Sequence, residues 1–316
     1  MTTDSSGNRS TPPISWLPGN SAQQGGFSIA VGAAIWGLYW IPLRFLDSNG
    51  IPGLWAVFMV MGLGVIPSLI VIYFSNQSKA LANKDPWLIG SALSISTVLY
   101  FTGIIFSDVI RVIFLFYLLP VWTTIAARLL YKERITTANA IVIAMALIGL
   151  SLLLGGGNSF PIPRNIGDWC GLLAGLCWGF SLSILRGKES VNSIATVLTT
   201  CVTGAAYALI AIVLLSTLNN NTVIGELNPG SWLFIGIVGL LFSLFLLYPS
   251  MMSQIWGAQR IPAPTAALLT MTEVLVSTLS AYWLIGTDLN AVSVVGALII
   301  LSAVLVDIHL KFKHSS

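Results

Sequence analysis

Ten apolar stretches of about 20 residues follow one another along the chain, separated by short polar segments, over about 28–47, 52–74, 87–106, 109–129, 137–154, 168–186, 193–217, 232–256, 263–285 and 291–308. Each is long enough to cross a hydrocarbon core of about 30 Å as a helix. The pattern predicts an all-α membrane protein with ten transmembrane helices. Residues 1–26 are polar and carry Pro12, Pro13 and Pro18 without a basic start leading into a short apolar core. They read as a disordered cytoplasmic tail rather than a cleaved signal peptide. Residues 309–316 read as a second cytoplasmic tail, and 155–167, opening on Gly155-Gly156-Gly157, as a linker.

The apolar pattern repeats itself. WGLYWIPLR runs from Trp36 to Arg44, and WGFSLSILR from Trp178 to Arg186, an offset of 142. At an offset of 154, Gly103 pairs with Gly257, Leu115 with Leu269, Thr124 with Thr278, Ala127 with Ala281 and Leu130 with Leu284. Spans one to five thus correspond to spans six to ten, giving repeats at 27–154 and 168–308. Because five is odd, the second copy crosses the membrane in the opposite sense. Inverted repeats are typical of secondary transporters, whose site near the midplane between the halves opens alternately to either side.

These residues carry a resemblance. AAIWGLYWIPLR, FYLLPVWTTIAARLLYKERIT from Phe116 onward and TAALLTMTEVLVSTLSAYWLIGTDLN from Thr265 to Asn290 resemble the drug/metabolite transporter superfamily in its ten-helix, EamA-like form. In that family the fourth helix of each repeat commonly has a midspan proline and ends in a Gly-Glu-like signature. The first copy has Pro120 and Lys132-Glu133, whereas the second departs from the pattern with Val274 and Gly286-Thr287-Asp288. The segment Tyr117 to Pro120 is also similar to bacterial aromatic amino-acid exporters. The resemblance implies export of a small metabolite such as an amino acid, by alternating access, across a bacterial inner membrane.

Composition sharpens the reading. Hydrophobic residues make up 56% of the 316 and charged residues only 8%, against about 25% charged in a soluble domain, so lipid must solvate the chain. Eleven of 14 basic residues fall on one side of the membrane when the N-terminus is cytoplasmic, leaving Arg44, Arg111 and Arg164 outside. This bias places both termini in the cytoplasm. It also accounts for the net charge of +3, so no nucleic-acid partner is expected. Both histidines lie at 309 and 314, and Cys170, Cys177 and Cys201 show no C-x-x-C spacing, so neither a metal nor another cofactor is expected. With no Walker motif, an ion or substrate gradient is expected to drive transport. The sequon at Asn220 lies in an expected outer loop and has meaning only in a eukaryotic secretory setting.

Glu273 stands about ten residues into span nine, roughly 15 Å deep. A carboxylate there should face the bundle interior and either find a partner or take up a proton, as a coupling group does; the alternative is a packing role. Trp36, Trp40 and Arg44 share one helix face by their spacing of four, and Trp178 matches Trp36, so aromatic cavity walls are expected. Tyr117 and Trp122 flank Pro120. Arg111 either snorkels, pairs with Asp108, or holds a substrate carboxylate, while Arg44 and Arg186 are foremost snorkelling span ends. The candidate substrate-binding set is Trp36, Trp40, Arg111, Tyr117, Trp122, Trp178 and Glu273, with no catalytic residue. Gly171, Gly175 and Gly179 read as a close-packing stripe, and Pro42 and Pro120 as bends. The expected partners are a small-molecule substrate, with a proton as coupling ion, and the bilayer; a homo-oligomer is compatible with the sequence. A nontransporting scaffold and an intramembrane enzyme are the competing readings.

Overall fold

The computed structural model describes residues 20–132, 136–154, 162–218, 231–286 and 289–312, all helix or connecting turn with no strand among them. The expected Gly155 to Gly157 linker, Glu133, Thr287-Asp288, the Asn220 loop and most of the two tails lie outside the described residues. The helices are α1 (Ser21–Trp36), α2 (Trp40–Ser48), α3 (Gly53–Phe74), α4 (Lys84–Phe106), α5 (Val109–Phe116), α6 (Leu119–Tyr131), α7 (Thr137–Leu153), α8 (Ile166–Leu185), α9 (Ser193–Leu218), α10 (Ser231–Phe242), α11 (Tyr248–Ala258), α12 (Ala263–Thr270), α13 (Thr272–Ile285) and α14 (Ala291–Phe312). Four pairs, α1–α2, α5–α6, α10–α11 and α12–α13, each form one span. Among the described residues nine spans are long and apolar enough to cross a membrane. The tenth, α7, has 17 residues, the lower end of the range that can span.

Span starts are chemically encoded. Asn83, Asp108, Thr136, Asn165, Asn192 and Asn290 each cap a helix with a side-chain oxygen that accepts a backbone N–H two or three residues on. One such start shortens the expected tail: Ser21 to Gly26 are helical, not disordered. The cause is a capping box, in which Asn20 Oδ1 accepts from the Gln23 N–H at 2.9 Å and Gln23 Oε1 accepts from the Asn20 N–H at 3.1 Å.

Prolines account for three of the four interruptions. Pro42 and Pro120 have no N–H to continue the ladder, and just before them the chain tightens into three-residue turns, Tyr39 N–H to Trp36 O at 2.8 Å and Leu118 N–H to Leu115 O at 3.4 Å. Pro249 follows a π-helical turn over Ser243–Leu247 in the same way. The break at Met271 has no proline after it. There the Thr270 hydroxyl donates to the Ala267 carbonyl at 2.7 Å, competing with the backbone ladder.

The two halves pack by one scheme applied twice. α4 lies on α8 as α11 lies on α1; α5 and α6 flank α8 as α12 and α13 flank α1. α3 meets α9, and α7 meets α14, across the local two-fold. Individual bonds obey the same operation: Ser96 Oγ donates to Ala174 O at 2.7 Å, and Ser250 Oγ to Gly32 O at 2.8 Å. These pairs are related by 154 and 142 residues, the two offsets of the sequence repeat. A Cβ on Gly103 would lie 2.9 Å from the Gly167 carbonyl oxygen, and one on Gly257 would lie 2.5 Å from that of Gly25, so glycine is required at the same contact in both halves. Lys132 and Gly286, also 154 apart, end α6 and α13 in left-handed backbone with φ of 55° and 68°.

The outer faces present Tyr73, Phe74, Leu233, Phe234, Trp283 and Leu284, all exposed in a chain whose solvent is lipid. Hydroxyls turn inward instead: Ser94, Ser96, Thr196, Thr199 and Thr200 are buried and bonded to helix carbonyls, because lipid offers them no partner.

Candidate functional site

The repeated Trp-Gly sits where the two packing groups meet. One group is α4, α5–α6 and α8; the other is α11, α12–α13 and α1. Gly37 faces span nine, where a Cβ would come within 2.6 Å of the Glu273 carbonyl oxygen; Gly179 faces span four, where a Cβ would come within 3.2 Å of Leu119. The glycines let the spans touch, and the preceding tryptophans are thereby placed beside each other. Trp36 and Trp178, the symmetry mates, stand with ring centroids 6.3 Å apart at 46°.

Between the groups is a small cavity lined by Trp36, Ser96, Thr97, Tyr100, Phe101, Phe116, Trp178, Thr270 and Glu273. Its rings are contiguous: Phe116 meets Trp178 edge-on at 6.4 Å, Tyr100 meets Phe116 at 5.0 Å, and Phe101 meets Tyr100 at 5.5 Å. Glu273 carries the only carboxyl among the described lining residues. It occupies the place of Leu119 in the other half, so the repeat puts a carboxyl on one side of the cavity where the other side has an apolar side chain. The Tyr117 hydroxyl is buried close to the Glu273 carboxyl, but without the geometry of a well-formed hydrogen bond.

Of the sequence candidates, Trp36, Trp178 and Glu273 line the cavity and Tyr117 lies directly behind it. Three others lie elsewhere. Trp40 donates its indole N–H to Ser280 Oγ at 3.0 Å. The expected shared face of Trp36 and Trp40 is lost because the three-residue turn between them eclipses positions i and i+3; Trp36 therefore stacks on Tyr39 at 4.6 Å and 4°. Trp122 packs beside Gly179. Arg111 is held by Asp168, with Nη1 to Oδ2 at 3.2 Å, while Asp108 uses its carboxylate to cap the backbone N–H of Arg111 instead. Asp168 is fully buried and also accepts from the Arg164 backbone N–H at 2.8 Å and from Ser107 Oγ. Arg44 is exposed, and Arg186 lies over the Tyr131 ring at 5.4 Å. Gly171, Gly175 and Gly179 receive α5 and α6 closely, as a packing stripe does.

Ser96, Thr97, Tyr100, Phe101, Phe116 and Thr270 enter the site unannounced. One signal was legible: Tyr100 and Phe116 bracket the span three to span four turn, close to the Tyr117–Pro120 segment. The hydroxyl positions carried none.

Comparison with known proteins agrees with this architecture. The model of the EamA-like transporter family matches twice, over residues 23–155 and 165–307. The uncharacterized transporter YyaM of Bacillus subtilis (strain 168) is 23% identical over 255 residues, 77% of this chain and 80% of that protein. A crystal structure described only as that of a protein superposes with a TM-score of 0.73 at 16% identity, covering 94% of this chain and 99% of the other, a likeness of fold. The chain belongs to the EamA-like transporter family and is an integral, multi-pass membrane transporter.

Proposed function

We propose that the protein is a secondary transporter that exports a small metabolite by alternating access, with its substrate held in the cavity between the two helix groups. The observation that carries this reading is the composition of the cavity wall by group: Ser96, Thr97, Tyr100, Phe101, Phe116 and Trp178 come from one group and Trp36, Thr270 and Glu273 from the other. Rocking one group against the other would part this wall toward one side or the other while each group keeps its own packing. An ammonium-bearing metabolite suits a wall of rings with one carboxyl. Proton exchange at Glu273 would couple the movement to a gradient. No cluster of three or more His, Cys, Asp or Glu side chains suited to a metal occurs among the described residues, and Glu273 stands without a second acid or base in the lining, so the site favours carriage over catalysis.

Trp36→Ala and Trp178→Ala should each insert and fold like wild type yet weaken substrate exchange roughly tenfold, the loss of one desolvated cation–π or ring contact. Counterflow of labelled metabolites in proteoliposomes measures this. Unchanged kinetics in both variants would reduce the motif to packing, and conversion of the metabolite would indicate an enzyme.

The same reading sets the orientation. From the eleven-to-three distribution of basic residues we expect both termini in the cytoplasm of a bacterial inner-membrane protein. Single cysteines placed at Asn83 and at Asn49 or Asn290, in a cysteine-free background, should react with an impermeant maleimide from opposite sides. Labelling of Asn290→Cys from the cytoplasm alone would invert the assignment.

A further inference from the structure

We infer that the substrate of this cavity is an organic monocation, an amine or quaternary ammonium on an aromatic or apolar body, and that a free carboxylate on the same molecule is selected against. The inference rests on the transporter reading and narrows it.

Three independent features of the wall have the same sign. Among the described lining residues the one carboxyl is that of Glu273, and no Lys, Arg or His is present. Five rings, Trp36, Tyr100, Phe101, Phe116 and Trp178, surround it, and ring faces carry negative charge density that attracts a cation, most strongly where water is displaced. The third feature is the state of the serine and threonine hydroxyls. Ser96 Oγ donates to Ala174 O at 2.7 Å, Thr97 Oγ1 to Leu93 O at 3.1 Å, and Thr270 Oγ1 to Ala267 O at 2.7 Å. A hydroxyl has one proton to give. With all three committed to helix carbonyls, these groups offer lone pairs to a ligand and no donor. An ammonium, which only donates, is satisfied by such a wall.

A carboxylate meets the reverse. Its partners would be neutral indole N–H or phenol groups at most, and Glu273 would repel it. Arg111, in the opposing group, is already bound to the buried Asp168 at 3.2 Å and stands in the first turn of α5, outside the lining. A buried charge left without a counter-charge is strongly disfavoured. A zwitterionic amino acid therefore gains at one end and loses at the other.

The test uses four compounds with one phenyl ring and differing charge: 2-phenylethylamine, phenylalanine methyl ester, phenylalanine and 3-phenylpropionate. Purified full-length protein is titrated with each by calorimetry in detergent, and exchange of each is followed in proteoliposomes. The amine and the ester should bind at least about tenfold more tightly than phenylalanine, with 3-phenylpropionate weakest, the order a desolvated cation site imposes. Glu273→Gln should lower amine affinity by at least tenfold and leave the rank of the two carboxylates unchanged; should that variant fail to fold, the wild-type series still decides. Phenylalanine or 3-phenylpropionate binding as tightly as the amine overturns the inference, and if those compounds exchange, the transporter reading survives it. Amine-selective binding without exchange of any compound supports the cation site and removes the transporter reading. Absence of binding by all four to folded protein overturns the inference.

Discussion

Glu273→Gln should yield a folded protein, at wild-type purified yield and thermal stability, whose transport no longer responds to a pH gradient while substrate exchange at symmetric pH persists at a reduced rate. The expectation follows from what surrounds the carboxyl. Among the described lining residues no other carboxyl and no Lys, Arg or His is present. The titratable groups facing it are phenols, Tyr117 behind it from the break between α5 and α6 and Tyr100 across the cavity from α4. Arg111, the basic residue whose pairing would make Glu273 a structural ion, is occupied by Asp168 instead. Replacing the carboxyl by an amide keeps size and hydrogen-bonding capacity and leaves no counter-charge stranded, so the fold should tolerate it. What disappears is the ability to exchange a proton for a substrate cation at one place in the membrane, which is how an intramembrane acid couples two fluxes. Flux measured at several imposed pH gradients, beside yield and thermal melting, separates the outcomes. Normal stability with an unaltered pH response would end the coupling assignment, and loss of the folded protein would make Glu273 structural.

Asp168→Ala should be the most destabilising polar substitution in the described chain. Asp168 is fully buried at the start of α8, and its carboxylate collects Ser107 Oγ, Arg111 Nη1 and the Arg164 N–H. These donors come from the turn after span three, from the first turn of span four and from the entry to span six, so one side chain joins the elements of a single helix group. Removing one member of a buried ion pair costs about 3–5 kcal/mol. The Arg111 side chain retains 26% exposure, and water can partly resolvate it, so about 2–4 kcal/mol is the expected loss. Asp168→Asn, which keeps acceptor capacity at one oxygen, should lose about half as much. Thermal melting in one detergent measures both. Equal melting of Asp168→Ala and wild type would show that the network contributes nothing to the fold.

The sequence offsets carried further than the motif that announced them. The 142-residue offset of Trp36 and Trp178, with the 154-residue offset of Gly103 and Gly257, predicted an inverted pair of five-helix units, and the structure realises both offsets in single contacts such as Ser96 with Ala174 and Ser250 with Gly32. The start of α1 was also legible, in the Asn20 to Gln23 capping box, but its polar residues resemble those of a solvated tail. A short polar helix start and a tail differ only in hydrogen bonds between neighbours three apart.

Periodicity by itself determined the spans, because a chain in lipid must satisfy each backbone group within a helix and must keep that helix apolar for about 20 residues. It also sets the expected depth of Glu273, counted in residues along a span. The wall of the cavity belonged to the tertiary structure. Helical spacing assumes an unbroken helix, and the turn at Gly37 to Tyr39 rotated Trp40 out of the face it shared with Trp36 and put Tyr39 against the Trp36 ring. The break at Met271 repeats the break at Tyr117 without repeating its proline. Arg111 has only Asp108 beside it in the sequence, and the packing of α5 on α8 supplies Asp168, 57 residues away, as its partner instead. Ser96, Thr97 and Thr270 are indistinguishable in the sequence from the many other span hydroxyls; contact between two helix groups decided which of them face the cavity, since local spacing specifies a helix face but not what that face meets.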